Sequence, residues 1–146
     1  MGASDLLRPG SGATLLGIDF GGRRIGIAVS TSGVLATPHS VMSNDGDAIE
    51  KLARLGDALE VSLFVFGIPR RAGSAAERKY RELAETLRQR TCKEVILWDE
   101  SLSTVEASET LRASGRRRRE AQKDIDMHAA AAILQSYLDH CAGRRS

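Results

Sequence analysis

The sequence carries acidic side chains at three separate places that a folded domain could bring together. Asp19 ends one apolar segment, Glu100 follows another, and Asp126 lies in the predicted first turn of the last helix. Carboxylates that converge on one site repel each other unless a cation neutralises them. Oxygen-only ligands favour Mg²⁺ or Mn²⁺, and no histidine or cysteine cluster here has zinc spacing. The sequence therefore predicts a site for a hard divalent cation.

Asp19 has apolar neighbours on both sides and is followed by a glycine turn. A carboxylate in such a segment is costly unless a charged partner accompanies it. The pair Gly21-Gly22 then turns the chain into a second apolar segment, as in a β-hairpin. On this segment alone two interpretations remain open. Asp19 either belongs to a metal or phosphate site or hydrogen-bonds the backbone of the turn.

Neighbouring acidic residues compete for the other two positions. Strand alternation places Asp99 and Glu100 on opposite faces, and Glu100 is the preferred ligand. Asp124 and Asp126 point about 200° apart on a helix, so only one of them can face the sheet. Alanines three and four residues after Asp126 would let that helix face approach a sheet closely. This favours Asp126 as the inward carboxylate and leaves Asp124 as a candidate helix cap.

Basic residues are concentrated in one part of the chain. Six positive side chains lie between residues 112 and 123, against the single carboxylate of Glu120. Arginine forks suit phosphate, and no aromatic residues interleave with them, so the pattern predicts contact with a nucleic-acid backbone rather than base stacking. The candidate contacts are Arg116, Arg117, Arg118, Arg119 and Lys123 in a predicted basic loop, with Arg70 and Arg71 after the central strand.

The elements that must position these residues form an α/β pattern, with two hairpins followed by alternating helices and strands. A mixed five-stranded sheet with helices on both faces is expected, because strand-helix-strand repeats imply parallel crossovers. The predicted strands are Thr14 to Phe20, Arg24 to Ser30, Gly33 to Met42, Val61 to Ile68 and Glu94 to Trp98. The predicted helices are Asp45 to Glu60, Ser74 to Arg90, Ser103 to Gly115 and Asp124 to His140.

Length and composition limit the class of protein. The 146 residues suit one domain, predicted at 14–141, with a flexible leader at 1–13 and a tail at 142–146. No apolar run approaches the roughly 18 residues of a membrane span, and no signal peptide is evident. Cys92 and Cys141 lie far apart, which favours a reducing compartment. A cytoplasmic protein without a membrane partner is therefore expected.

Four motifs occur in order along the chain. They are Gly17-Ile18-Asp19-Phe20-Gly21 with Arg24-Ile25-Gly26-Ile27-Ala28, then Gly67-Ile68-Pro69, then the segment from Asp99 to Ala107, and last the segment from Asp126 to Gln135. Together they resemble the YqgF/RuvX family, which is described as Holliday junction resolvases or pre-16S rRNA nucleases. The resemblance covers about residues 14 to 139 and is specific, because four motifs agree over a whole domain.

The resemblance implies a ribonuclease H-like fold, a bacterial cytoplasmic location and metal-dependent cleavage of nucleic acid. By motif, the catalytic carboxylates of the family fall on Asp19, Glu100 and Asp126. Two positions depart from the family pattern. Ser101 stands where the family usually has arginine, and Ala72 stands where it usually has aspartate. No role carried by that arginine is transferred to this chain.

The predicted function is two-metal hydrolysis of phosphodiester bonds, in which Asp19 would bridge two ions roughly 4 Å apart. Through the resemblance, the favoured substrate is the 5′ end of pre-16S rRNA. The alternatives are a Holliday junction resolvase acting on branched DNA, which favours a dimer, and a non-catalytic RNA-binding assembly factor. A nucleotide-binding ATPase of the actin and sugar-kinase type would need two such domains. Monomer and homodimer both remain open.

Overall fold

The structure is a computed structural model that describes residues 13–68, 75–99 and 118–145. Within them lies a sheet of five strands in the spatial order β3-β2-β1-β4-β5. The strands are β1 (Thr14–Phe20), β2 (Arg24–Ser30), β3 (Thr37–Ser43), β4 (Val61–Ile68) and β5 (Glu94–Asp99). The first three are antiparallel neighbours, whereas β4 runs parallel to both β1 and β5. The prediction of a mixed five-stranded sheet is confirmed.

Helices cover both faces of the sheet. They are α1 (Ala48–Ala58), α2 (Ala75–Thr91) and α3 (Arg118–Arg145). One buried cluster joins α1 and α2 to one face, and a second cluster joins α3 to the other. Central strand β4 is almost entirely buried, as expected for a parallel strand covered on both sides. No helix in these described ranges is long and apolar enough to cross a membrane.

Strand β1 shows how the two faces divide its side chains. Leu16, Ile18 and Phe20 belong to the cluster beneath α1 and α2. Leu15 belongs to the cluster beneath α3. Because side chains alternate along a strand, Asp19 lies on the α3 face with Leu15. The fold therefore assigns the first candidate carboxylate to the face that α3 covers.

Most strand boundaries follow the sequence pattern. The bounds predicted for β1, β2 and β4 are confirmed, and β5 extends one residue further, to Asp99. Strand β3 begins later than predicted because Ser32 Oγ accepts the N–H groups of Val34 and Leu35, both at 3.1 Å, and this local turn replaces ladder pairing. Pro38 lies in β3 at the edge of the described sheet, where a missing N–H is tolerated.

The prediction of a basic loop at 116–123 is wrong for residues 118–123. Helix α3 already begins at Arg118 and continues to Arg145, past the predicted end at His140. Arginine, glutamate, alanine, glutamine and lysine all favour a helix, and the sequence from Arg116 to Lys123 contains no glycine or proline. The helix predicted between Ser103 and Gly115 lies outside the described residues, and the limits of leader, domain and tail remain predictions.

Candidate metal centre

A row of glycines lets α3 lie close against the sheet. Strands β1, β2 and β4 contribute Gly17, Gly26 and Gly67 on the α3 face. A Cβ atom at Gly17 would lie 2.6 Å from the Cβ of Leu134. At Gly67 it would lie 3.0 Å from Cγ1 of Ile133. Side chains at these positions would push the helix away from the sheet.

The main chain of Asp126 rests on Gly26. A Cβ atom at Gly26 would lie 2.6 Å from the carbonyl carbon of Asp126 and would overlap its carbonyl oxygen. Ala130, one turn further along α3, is fully buried against the sheet. The helix face that carries Asp126 and Ala130 therefore approaches the sheet closely, as the alanine pattern predicts.

Asp19 lies next to this contact. It pairs with Gly26 across the β1–β2 ladder and with Gly67 across the β1–β4 ladder. Its side chain is partly buried and emerges at the carboxyl end of β1, between two residues that have no side chain. Carboxyl ends of parallel strands are the usual ligand-binding edge of an open sheet. The structure thus brings Asp19 and Asp126 to one end of the sheet, on one face.

An arginine from β2 holds the second carboxylate. Arg24 Nε donates a hydrogen bond to Asp126 Oδ2 at 3.1 Å. The two side chains are 36% and 16% exposed, respectively. Arg24 precedes Gly26 by two residues and so lies on the same face of the sheet. Asp126 lies in the third turn of α3 rather than in the predicted first turn, and Asp124 lies inside the helix rather than at its cap. This part of α3 meets β2 twice, through the main chain and through this ion pair.

A second contact fixes α3 to the sheet further along its length. The Gln135 side chain accepts the N–H of Ala36 at 2.9 Å and donates to the carbonyl of Val34 at 2.9 Å. Both partners belong to the connection between β2 and β3. Contacts at Asp126 and at Gln135 therefore hold α3 against the sheet at two places, and this fixes the position of Asp126.

Of the two acidic residues at the end of β5, the structure describes Asp99 but not Glu100. Asp99 pairs with Ile68 in the last rung of the β4–β5 ladder. Val95 and Leu97 pack beneath α1 and α2, so the alternation places Asp99 on that face, away from α3. Glu100, the preferred ligand from the sequence, lies outside the described residues. Its role and those of Asp19 and Asp126 as ligands remain predictions.

The turn after Asp19 is closed by a compact set of hydrogen bonds. The N–H of Gly21 donates to the carbonyl of Arg24 at 2.8 Å, and a Cβ at Gly21 would lie 2.7 Å from that oxygen. Asn44 Nδ2 donates to the carbonyl of Gly21 at 2.7 Å, and Tyr80 Oη donates to the carbonyl of Phe20 at 3.1 Å. The glycine pair therefore closes a β-hairpin, and the requirement for glycine at position 21 is steric.

The candidate nucleic-acid contacts are described only in part. Lys123 is exposed on α3. Arg118 and Arg119 lie in the first turn of α3, where only the main chain is described. The remaining candidates, Arg70, Arg71, Arg116 and Arg117, lie outside the described residues. Whether these residues contact nucleic acid remains a prediction.

The donor set at Asp19 and Asp126 suits a hard divalent cation. Both groups offer carboxylate oxygens, the ligand type that Mg²⁺ and Mn²⁺ prefer. Among the described ranges, no group of three histidine, cysteine, aspartate or glutamate residues is arranged to hold a metal ion. The described part therefore supplies two of the three predicted carboxylates.

The arrangement of the mixed five-stranded sheet and its helices defines a ribonuclease H-like fold. A structure of RuvC from T. thermophilus in complex with Holliday junction substrate matches 90% of this chain and 96% of that chain, with a TM-score of 0.57 and 11% identity. The fowlpox virus Holliday junction resolvase matches 87% of this chain and 99% of its own, with a TM-score of 0.54 and 12% identity. These likenesses confirm the predicted fold.

The chain belongs to the RuvX family. The family model, described as Holliday junction resolvase, matches residues 13–140. A Mycobacterium tuberculosis protein named "Putative pre-16S rRNA nuclease" is 42% identical over 139 residues, covering 90% of this chain and 81% of the relative. A protein of the same name from Agathobacter rectalis is 35% identical over 142 residues, covering 90% of this chain and 99% of the relative. The predicted membership of a nuclease family is confirmed.

Sequence reasoning missed the residues that support the carboxylates. The sequence pattern assigns no role to Arg24, Asn44 or Tyr80. Their contacts join residues 23 to 102 positions apart in the sequence, so spacing alone gives no signal for Asn44 or Tyr80. For Arg24, a signal exists: a charged residue opens an otherwise apolar strand, which calls for a charged partner.

Proposed function

We propose that this protein is a metal-dependent nuclease that hydrolyses phosphodiester bonds in the 5′ region of pre-16S rRNA. One observation carries the proposal: in a RuvX-family chain, Asp19 is the ladder partner of Gly26, and the main chain of Asp126 packs against that same glycine. The substrate rests on the name "Putative pre-16S rRNA nuclease", which the Mycobacterium tuberculosis and Agathobacter rectalis relatives share. Such a substrate would place the protein in the bacterial cytoplasm.

Asp19, Asp126 and Glu100 would hold Mg²⁺ or Mn²⁺. Divalent ions bound there would lower the pKa of an attacking water and stabilise the leaving oxygen. Asp19 would serve as the central ligand because β1 lies between β2, against which the main chain of Asp126 packs, and β4, which borders β5. We choose Glu100 over Asp99 because Asp99 lies on the sheet face away from α3. If the strand continued by one residue, alternation would place the Glu100 side chain on the α3 face.

The basic residues would hold the substrate backbone. The first turn of α3 carries a partial positive charge from the helix dipole, and Arg118 and Arg119 add two full charges, of which Glu120 in the same turn offsets one. Such an accumulation is unfavourable in isolation, and a phosphate backbone would offset it. Arg116, Arg117 and Lys123, with Arg70 and Arg71 after β4, would extend the same phosphate contact.

A second candidate function is resolution of Holliday junctions. The family model is described as Holliday junction resolvase, and the two solved structures are a RuvC complex with Holliday junction substrate and a Holliday junction resolvase. A four-way junction is symmetric, so a resolvase would act as a homodimer with paired sites, whereas a pre-rRNA nuclease could act as a monomer. A protein that binds rRNA precursors without cleaving them is the remaining alternative.

Cleavage assays on three substrates test the proposal. The protein is incubated with a pre-16S rRNA 5′ fragment, single-stranded RNA and a four-way DNA junction, each with Mg²⁺ and with Mn²⁺. Asp19→Asn should abolish cleavage while folding and substrate binding persist. Asp57→Asn is the matched control, since that carboxylate is 74% exposed on α1, on the other face of the sheet. Cleavage of the junction alone would favour the resolvase, and full activity of Asp19→Asn would contradict the assigned site.

A further inference from the structure

Arg24 lies where it can act on both described carboxylates. Asp19 pairs with Gly26, and Arg24 is the diagonal neighbour two residues earlier on β2. Diagonal neighbours across a ladder lie about 7–8 Å apart, within reach of a long side chain on the same face. The guanidinium is anchored to Asp126 by the Nε–Oδ2 bond of 3.1 Å. A fixed positive charge therefore stands at the edge of the candidate metal centre.

The main chain of Arg24 also makes a hydrogen bond next to the candidate site. Its carbonyl accepts the N–H of Gly21 at 2.8 Å, which closes the turn after Asp19. Arg24 thus connects the turn that follows one carboxylate to the side chain of the other. Any rotation of the Asp126 carboxylate would break a charge-assisted hydrogen bond whose donor is held by the hairpin itself.

We propose that Arg24 is a positioning residue that orients the Asp126 carboxylate for a divalent cation. This inference rests on the proposed function, in which Asp126 is a metal ligand. Partly exposed ion pairs contribute little to folding stability, so orientation rather than stabilisation is the main consequence of this pair. Hydrogen-bonding partners of metal ligands typically change metal affinity 10- to 100-fold when they are removed, through the geometry of the ligand.

Electrostatics alone predicts the opposite effect. A positive charge beside a cation site repels the cation, so removing it would tighten binding if Arg24 had no orienting role. The sign of the change on substitution therefore separates positioning from repulsion. Lysine keeps the charge but lacks the planar guanidinium and its Nε donor. Arg24→Lys should therefore retain only part of the Mn²⁺ affinity.

Binding of Mn²⁺ to the full-length protein, measured from the electron paramagnetic resonance signal of free Mn²⁺, tests the proposal without a catalytic readout. Arg24→Gln should weaken binding about 10- to 100-fold, and Arg24→Lys should weaken it less. Arg81→Gln is the matched control, because it removes an arginine-glutamate pair of 2.9 Å on α2. Raising Mn²⁺ should then restore cleavage by Arg24→Gln, which a purely structural defect would not allow.

Equal or tighter Mn²⁺ binding by folded Arg24→Gln would overturn the inference. If that variant does not fold, Arg24→Lys decides: weaker binding supports positioning, and unchanged binding overturns it. Asp19→Asn separates this failure from that of the proposed function. If Asp19→Asn binds Mn²⁺ as tightly as the wild type, the proposed metal centre is contradicted. If Asp19→Asn loses Mn²⁺ binding while Arg24→Gln binds normally, only the role of Arg24 is contradicted.

Discussion

The main chain of Asp126 rests directly on Gly26, so that a Cβ atom there would overlap the Asp126 carbonyl oxygen. Gly26 is also the ladder partner of Asp19. One glycine therefore determines how closely the carboxylate on α3 approaches the carboxylate on β1. The spacing of these two candidate ligands therefore depends on a position that has no side chain.

Gly26→Ala should damage both stability and activity. The added methyl group meets helix backbone rather than a flexible side chain, so α3 must move, and overpacking of this kind costs about 1–3 kcal/mol in the free energy of unfolding. A displacement of about 1 Å at Asp126 would reduce kcat about 100-fold. Urea denaturation and a cleavage assay measure the two effects.

Gly46→Ala is the control for that substitution. Nothing lies within 4 Å of a Cβ atom at Gly46, and its φ is outside the left-handed region. Its free energy of unfolding should change by no more than about 0.5 kcal/mol. Equal effects of the two substitutions would show that contact with Asp126 is not the reason for glycine at position 26.

Asp99 and Glu100 should respond very differently to loss of their charge. Glu100→Gln is expected to reduce cleavage at least about 100-fold, because a metal ligand would be lost, while Asp99→Asn should retain most activity, since Asp99 lies on the face away from α3. Cleavage rates at saturating Mg²⁺ give the comparison. The reverse order of effects would reassign the ligand to Asp99.

Much of the sheet could be predicted because its pattern is local. The apolar segments of β1, β2 and β4 are followed by Gly21, Thr31 and Pro69, and their predicted bounds are confirmed. The alanine pattern after Asp126 also indicated correctly that one face of α3 lies close to the sheet. Each of these inferences needed only residues a few positions apart.

The remainder depended on contacts between distant segments. The ion pair of Arg24 with Asp126 spans 102 positions, and the overlap of Gly26 with α3 spans nearly as many, so no local period reveals either. The error at 118–123 has a different cause. Charge density suggested a loop, whereas the helical propensity of those residues, which is a weak signal taken singly, extends α3 to Arg118.

Replacing Arg116, Arg117, Arg118 and Arg119 with alanine should weaken substrate binding and flatten its salt dependence. Each phosphate contact that is lost should reduce the slope of log affinity against log salt by about 0.7 for single strands. Binding titrations at several salt concentrations measure that slope. The control replaces Arg81 and Arg88 on α2, which pair with Glu77 and Glu85. An unchanged slope in the first variant would exclude these arginines as phosphate contacts.

Glu50 should make part of the folding stability sensitive to acid. The hydrogen bond from the Arg90 guanidinium, which joins α2 to α1, holds the pKa of Glu50 below its ordinary value of 4.5. Because the folded-state pKa is lowered, the stabilising effect is complete above the ordinary pKa and is lost as the pH falls through the lower, folded-state value. When the pH is lowered from about 6 to about 3, the free energy of unfolding should therefore fall less for Glu50→Gln than for the wild type. Urea denaturation at each pH measures this, with Glu82→Gln, an exposed position of α2, as background. Identical pH profiles for Glu50→Gln and the wild type would show that the link between α1 and α2 does not depend on this carboxylate.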